Sequence, residues 1–255
     1  MPNSQPDDGS ELLASPEVGG VLEAAAVHAG GELLSWQMDH IDAHPGHSTT
    51  ATYAARIRWP YGDRDELLGV SARTGPRVPT DNHADIFFDG DREVAVWIYP
   101  KDPDLPGLMR AAYPDRMAEL INEHQLVSRP VSGDQVSLNM IGYRPRRRAV
   151  LRMDITDPRR TFFVKVQRKK QFEEVVARHR LLLEAGVPSP GVAAATSEHL
   201  LVLEELPGRA LAKAMFDPVD PCQAEDLIAT LDQMPASVAQ LERRPPWTDA
   251  VAHYA

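Results

Sequence analysis

A single lysine constrains this chain more than any other residue. In Arg160-Thr161-Phe162-Phe163-Val164-Lys165-Val166, Lys165 stands among apolar and β-forming neighbours, inside a strand that otherwise reads as buried on both faces. A buried cation without a partner is costly, so Lys165 needs an anion beside it. Upstream, Arg148 to Met153 reads as another strand, with Asp157-Pro158 as the turn between the two. Downstream, helical periodicity runs from Gln171 to Ala185 and is closed by Gly186, with Pro188 and Pro190 behind it, the expected stop signal. His199 to Leu203 is a third strand, and Glu204-Glu205-Leu206-Pro207-Gly208 leads out of it as a hinge. The order is therefore hairpin with a central lysine, helix, strand and hinge.

The rest of the chain bounds what this segment can belong to. Its 255 residues, 43% of them hydrophobic, can bury a core, and 22 prolines against 6% aromatics point to loops and turns over a bundle of long helices. Cys222 is the only cysteine, so no disulfide forms within the chain and a reducing, cytoplasmic setting is expected. No apolar run approaches the roughly 18 residues of a membrane span. A net charge of −10 argues against general affinity for nucleic acid, but the charge is uneven. Tyr143 to Arg180 carries thirteen Arg and Lys against four Asp and Glu, which leaves −19 for the remainder. This basic block coincides with the lysine hairpin, where it would meet a nucleotide triphosphate or an RNA with a positive field.

Taken in order, residues 1–19 are rich in Ser, Pro, Asp and Gly and read as a disordered tail. Val21 to Ala29 is a short helix, and Glu32 to Asp42, Thr50 to Trp59, Leu67 to Ala72 and Glu93 to Tyr99 are strand-like, which predicts a small antiparallel sheet. Leu108 to Asn122 reads as one helix, Val131 to Leu138 as the strand that opens the first hairpin, and Ala210 to Phe216 and Gln223 to Gln233 as helices. A final helix starts near Trp247, and its shortness predicts that the chain stops inside an element.

Four strings in the right order, Tyr143 to Arg152, Phe163 to Val166, Ala185-Gly186-Val187-Pro188-Ser189-Pro190 and Leu203 to Gly208, resemble the N-terminal lobe of the aminoglycoside phosphotransferase family, which has a protein-kinase-like fold. More narrowly they look like its actinobacterial maltokinase and glucosamine-kinase branch. The resemblance implies an α+β chain in four parts: a tail (1–19), a cap subdomain with an antiparallel sheet (20–127), a kinase-like N-lobe of antiparallel sheet plus one helix (128–208), and helices that start a truncated C-lobe (209–255). It implies ATP and Mg2+ as cofactors and a sugar or aminocyclitol hydroxyl as acceptor. Phosphoryl transfer is mostly positioning and charge neutralisation. In that scheme Lys165 contacts the α- and β-phosphates, the alternative being an edge-strand lysine facing water. A helix glutamate, Glu173 or Glu174, would orient it, although Arg178 at i+4 gives Glu174 a surface partner and Val175 and Val176 stand where the family's glutamate usually is. Arg146 and Arg147, in the turn that replaces a glycine-rich loop, either cradle phosphate or face solvent. Glu204, Glu205 and Leu206 match the hinge whose backbone reads adenine.

The family's catalytic loop, His-Gly-Asp followed by an asparagine, and its later metal-binding aspartate have no match between Pro207 and Ala255. The chain by itself is therefore expected to bind nucleotide without transferring phosphate. A non-catalytic nucleotide- or partner-binding protein is the alternative, and RNA binding through the basic block is a third reading with few aromatic platforms to support it. His40, His44 and His47 with Asp39 and Asp42 have metal-ligand chemistry, but polar turns collect histidines without any metal, and no metal site is assigned.

Overall fold

The computed structural model describes residues 8–44, 47–74, 84–219 and 221–242, and the chain folds as an α+β protein with two antiparallel sheets of five strands each. Helices α1 (Ser10–Ala14) and α2 (Val18–His28) precede strands β1 (Glu32–His44), β2 (Ser48–Trp59), β3 (Gly62–Thr74), β4 (Asp85–Asp89) and β5 (Arg92–Ile98), paired in the order β1-β2-β3-β5-β4. Along β2 the alternation of buried Tyr53, Ala55 and Ile57 with exposed Ala54, Arg56 and Arg58 is the period of two that turns one sheet face inward. That face packs beneath Leu13 of α1 and Val18 and Leu22 of α2. The expected disordered tail is corrected for residues 8–19: Leu13 is 1% exposed and Val18 0%, and the buried Tyr53 hydroxyl donates to the Leu13 carbonyl at 2.6 Å. Such a polar stretch builds no core of its own, yet two apolar residues suffice to hold it when a sheet supplies the remaining surface. Residues 1–7 lie outside the described part.

Between the sheets, the single helix expected from Leu108 is two: α3 (Leu108–Ala111) and α4 (Pro114–Glu123). Pro114 disfavours helical geometry at Tyr113, which is extended (φ −120°, ψ 123°), and itself occupies the first turn of α4, where its missing N–H costs nothing. The second sheet then follows as β6 (Val136–Arg144), β7 (Arg148–Ile155), β8 (Arg160–Gln167), helix α5 (Lys169–Glu184), β9 (Val192–Ala195) and β10 (Leu200–Glu204), in the order β6-β7-β8-β10-β9. β6 begins five residues later than the expected start at Val131, because Gly133–Gln135 forms a 3-10 turn fixed by reciprocal Ser132 and Gln135 bonds. Alternate residues of β7 and β8, among them Leu151, Met153, Val164 and Val166, enter a core with Leu108, Leu120 and Ile121 of α3 and α4. On the opposite face, α5 covers Leu201 and Leu203 of β10 through Val175 and Val176. Gly186, at φ +73°, ends α5 in the left-handed conformation that glycine adopts without steric cost.

Helices α6 (Leu211–Ala214) and α7 (Ala224–Asp232) follow; Ala214 is buried, but Phe216, just beyond α6, is 91% exposed and Leu231 of α7 is 64% exposed. The helix expected from Trp247 lies outside the described residues. Among those described, no helix is long and apolar enough to cross a membrane.

A buried polar seam joins the two sheets. Trp97 of β5 lies over Gly69 of β3 and donates its ring N–H to the Tyr143 hydroxyl at 2.9 Å, and Tyr143 donates in turn to Asp102 at 2.7 Å. Tyr143 is on the core side because a bulge between Met140 and Gly142 shifts the register of β6 by one residue.

Candidate functional site

Lys165 is not on an edge. Its strand β8 is the third of five and is paired on both sides, so Lys165 lies directly between Val150 of β7 and Leu201 of β10. The strand is not buried equally on both faces, either: Phe162, Val164 and Val166 enter the core, and Lys165 shares the opposite face with Phe163. Arg148, diagonal to it across β7, faces the same way, and like-charged diagonal neighbours repel. Burial, and then the Arg148 charge, push the Lys165 ammonium below its usual pKa.

The partner of Lys165 within the chain is not a glutamate. Nζ lies 3.4 Å from Nε2 of His179, on the third turn of α5. Burial first, and then Lys165, lower the His179 pKa, while the Pro190 carbonyl acts in the opposite sense. Nδ1 of this ring is buried without a hydrogen-bond partner among the described residues, and Nε2 accepts from the Lys165 ammonium in the tautomer that carries its proton on Nδ1. Glu173 is exposed, and Glu174 accepts from Arg178 at 3.3 Å. The expected Lys–Glu pair is thus replaced by a Lys–His contact, because His179 belongs to the apolar face of α5 that packs on the sheet and the two glutamates do not. That face was legible in the sequence, with His179 on it.

Two cavities meet at Lys165. One is a cleft of about 1020 Å³ lined by Arg144, Arg147 and Arg148 of the β6–β7 hairpin, by Lys165, and by Arg168 and Arg178 at and within α5. Arg147 pairs with Asp42 at 3.3 Å and Arg178 with Glu174, while Arg144, Arg148, Lys165 and Arg168 have no carboxylate at ion-pair distance among the described residues. Among the described residues lining the cleft the one carboxylate is Asp39, which reaches it from β1 beside His40 at a register irregularity between Met38 and His40. The start of α5, Arg168 and Gln171, forms one wall, so the positive end of the helix dipole adds to the cationic field.

The other cavity, of about 500 Å³, is mainly apolar and is bounded by Val150, Phe163, Leu203 and the hinge Glu204 to Gly208. Glu204 is tied by its N–H to the Gly191 carbonyl at 2.9 Å, whereas the peptide groups of Glu205, Leu206 and Gly208 make no hydrogen bonds to other described residues. A flat apolar ligand there would meet unspent backbone donors and acceptors.

Arg146 is turned away from both cavities. Its N–H donates to Asp102 at 2.7 Å, Nε to Asp104 at 2.9 Å and one terminal nitrogen to the Ser71 hydroxyl at 2.8 Å. Its expected place in a phosphate cradle is corrected: the side chain is spent on ties to the first sheet and to the Asp102–Asp104 loop. Arg147 does line the cationic cleft. Arg168 belongs to the basic block legible in the sequence, whereas nothing local in the sequence marks Asp39 and His40 as cleft residues, since the fold alone brings β1 to the Lys165 hairpin. Among the described residues no group of three His, Cys, Asp or Glu could hold a metal.

A scan against protein-family models finds no match, and neither the curated proteins nor the solved structures yield one.

Proposed function

We propose that this chain is the nucleotide-binding part of an ATP-dependent small-molecule phosphotransferase, with the adenine in the hinge cavity and the phosphates in the cationic cleft. The observation that carries the reading is that Lys165 and Val150 border both cavities, so one ligand with an apolar ring at one end and several negative charges at the other would span them. Val150, Phe163 and Leu203, which share one face of the sheet, would form the floor under the base, and the hinge peptide groups from Glu205 onward would read its edge. Arg148, Lys165 and Arg168 would neutralise phosphate charge with charge-assisted bonds. The order of hairpin, lysine strand, helix, strand pair and hinge supports the same reading.

The donor set does not fit a resident Mg2+, which takes near-octahedral oxygen ligands, because the described residues lining the cleft offer one carboxylate, Asp39, against six cationic side chains. No step is therefore assigned to it. A sugar or aminocyclitol hydroxyl is the acceptor class that follows from the resemblance, and the chain on its own is expected to bind ATP without turning it over. A second reading, a non-catalytic nucleotide- or partner-binding protein, is favoured by the exposed apolar residues Phe216, Leu227, Ile228 and Leu231 after the hinge.

Calorimetric titration of the full chain with ATP tests the proposal. Saturable 1:1 binding that Lys165→Ala weakens at least tenfold supports it. Absence of binding, or equal affinity of the variant, removes it.

A further inference from the structure

The β6–β7 turn that delivers Arg144, Arg147 and Arg148 to the cleft is held from outside its own sheet. Arg146, at its centre, adopts the left-handed backbone conformation (φ 59°), which a residue with a Cβ keeps only when its surroundings over-determine it. They do so here. Asp102 Oδ2 accepts from both the Arg146 N–H and the Tyr143 hydroxyl, at 2.7 Å each, and Oδ1 accepts from the Asp104 N–H at 2.9 Å. The Arg146 guanidinium then bridges Asp104 and Ser71, the latter on β3, and Arg147 reaches Asp42 on β1. Asp102 is 2% exposed; burial pushes its carboxyl pKa up, and the Arg146, Tyr143 and Asp104 donors pull it back towards the charged form. A buried carboxylate that serves three donors on two segments locks their relative positions.

We propose that Asp102 and Arg146 are positioning residues for the anion cleft. The first sheet and the Asp102–Asp104 loop act as a clamp that fixes the arginine turn over Lys165, without touching the ligand themselves. This rests on the anion-binding reading of the cleft, but not on the ligand being a nucleotide. An asparagine at 102 has one carbonyl oxygen and turns its amide, a donor, towards at least one of three donors, so Asp102→Asn releases part of the clamp at nearly constant volume. Arg146→Gly keeps the backbone conformation and the bond to Asp102, and removes only the guanidinium bridge.

The test titrates sodium tripolyphosphate, and separately adenosine, into the full chain and into both variants at fixed ionic strength. Hydrogen exchange of the Gly142–Ala149 amides is followed in parallel. Expected are an approximately tenfold loss of tripolyphosphate affinity in Asp102→Asn, a smaller loss in Arg146→Gly, faster exchange confined to the turn, and unchanged adenosine affinity. Unchanged tripolyphosphate affinity in either folded variant overturns the inference, as does a parallel loss of adenosine binding, which would mark a general weakening of the fold. Should Asp102→Asn fail to fold, Arg146→Gly decides alone. If the parent chain binds tripolyphosphate but neither adenosine nor ATP, the nucleotide reading falls, and this one is judged on tripolyphosphate affinity and exchange. If the parent binds no tripolyphosphate, the inference falls with the anion cleft.

Discussion

Replacing Lys165 by methionine should make the empty protein more stable while it weakens the binding of anions. The methionine keeps most of the unbranched volume between Val150 and Leu201 and removes a charge that burial and Arg148 both disfavour. The sign follows from linkage. The folded-state pKa of Lys165 lies below its unfolded value, so at neutral pH the fold carries a penalty for holding the proton, and only alkaline pH relieves it. Water still reaches part of the group, which limits the gain to about 0.5–1 kcal/mol. The long 3.4 Å contact to His179 returns little when lost. For a chain of this size, a gain of about 0.5–1 kcal/mol raises the unfolding midpoint by roughly 1–4 °C. A charge-assisted bond to a bound anion is worth about 1.5–3 kcal/mol, so tripolyphosphate or ATP affinity should fall by about ten- to a hundredfold. Thermal unfolding without ligand and calorimetry with tripolyphosphate measure the two effects in one buffer. A variant that is less stable when empty yet binds anions as before would show that Lys165 is a structural lysine, and would refute the reasoning.

Acidification tests the other half of the Lys165–His179 contact. The folded-state pKa of His179 lies below the ordinary 6.5, so stability should fall as pH drops through that value and level off below the folded pKa. His179→Gln should flatten this part of the stability curve in urea titrations from pH 7.5 to 4.5, and an unaltered curve would assign the effect elsewhere. Gly69→Ala places a Cβ 2.3 Å from the Trp97 ring and should cost about 1–3 kcal/mol by overpacking, read as a lower unfolding midpoint. Leu13→Ala should cost about 2–5 kcal/mol, against almost nothing were residues 8–19 a loose tail.

Whatever depends on near neighbours in the chain was legible in its residues alone. The strands at Arg148–Ile155 and Arg160–Gln167, the apolar stripe of α5 and the glycine stop at Gly186 all persist in the fold, because strand and helix propensity and left-handed backbone are set within a few residues, although the second strand alternates where the sequence reads as buried on both faces. The alternating face of β2 was legible for the same reason, and the break at Tyr113-Pro114 carried a local signal as well. Where the arginines of the basic block point is set by contacts between distant segments. Arg146 and Arg147 are adjacent in one run of arginines, yet Arg146 is held by the first sheet and the Asp102 loop while Arg147 also faces the cleft, a division made by the bulge at Ile141 and by partners more than 40 residues away. The same holds for Asp39 and His40, and for the choice of His179 over a glutamate as the neighbour of Lys165. Charges on a turn or a helix surface have nearly equal local options, so the contacts that select among them come from distant segments, and no window of sequence contains those segments together.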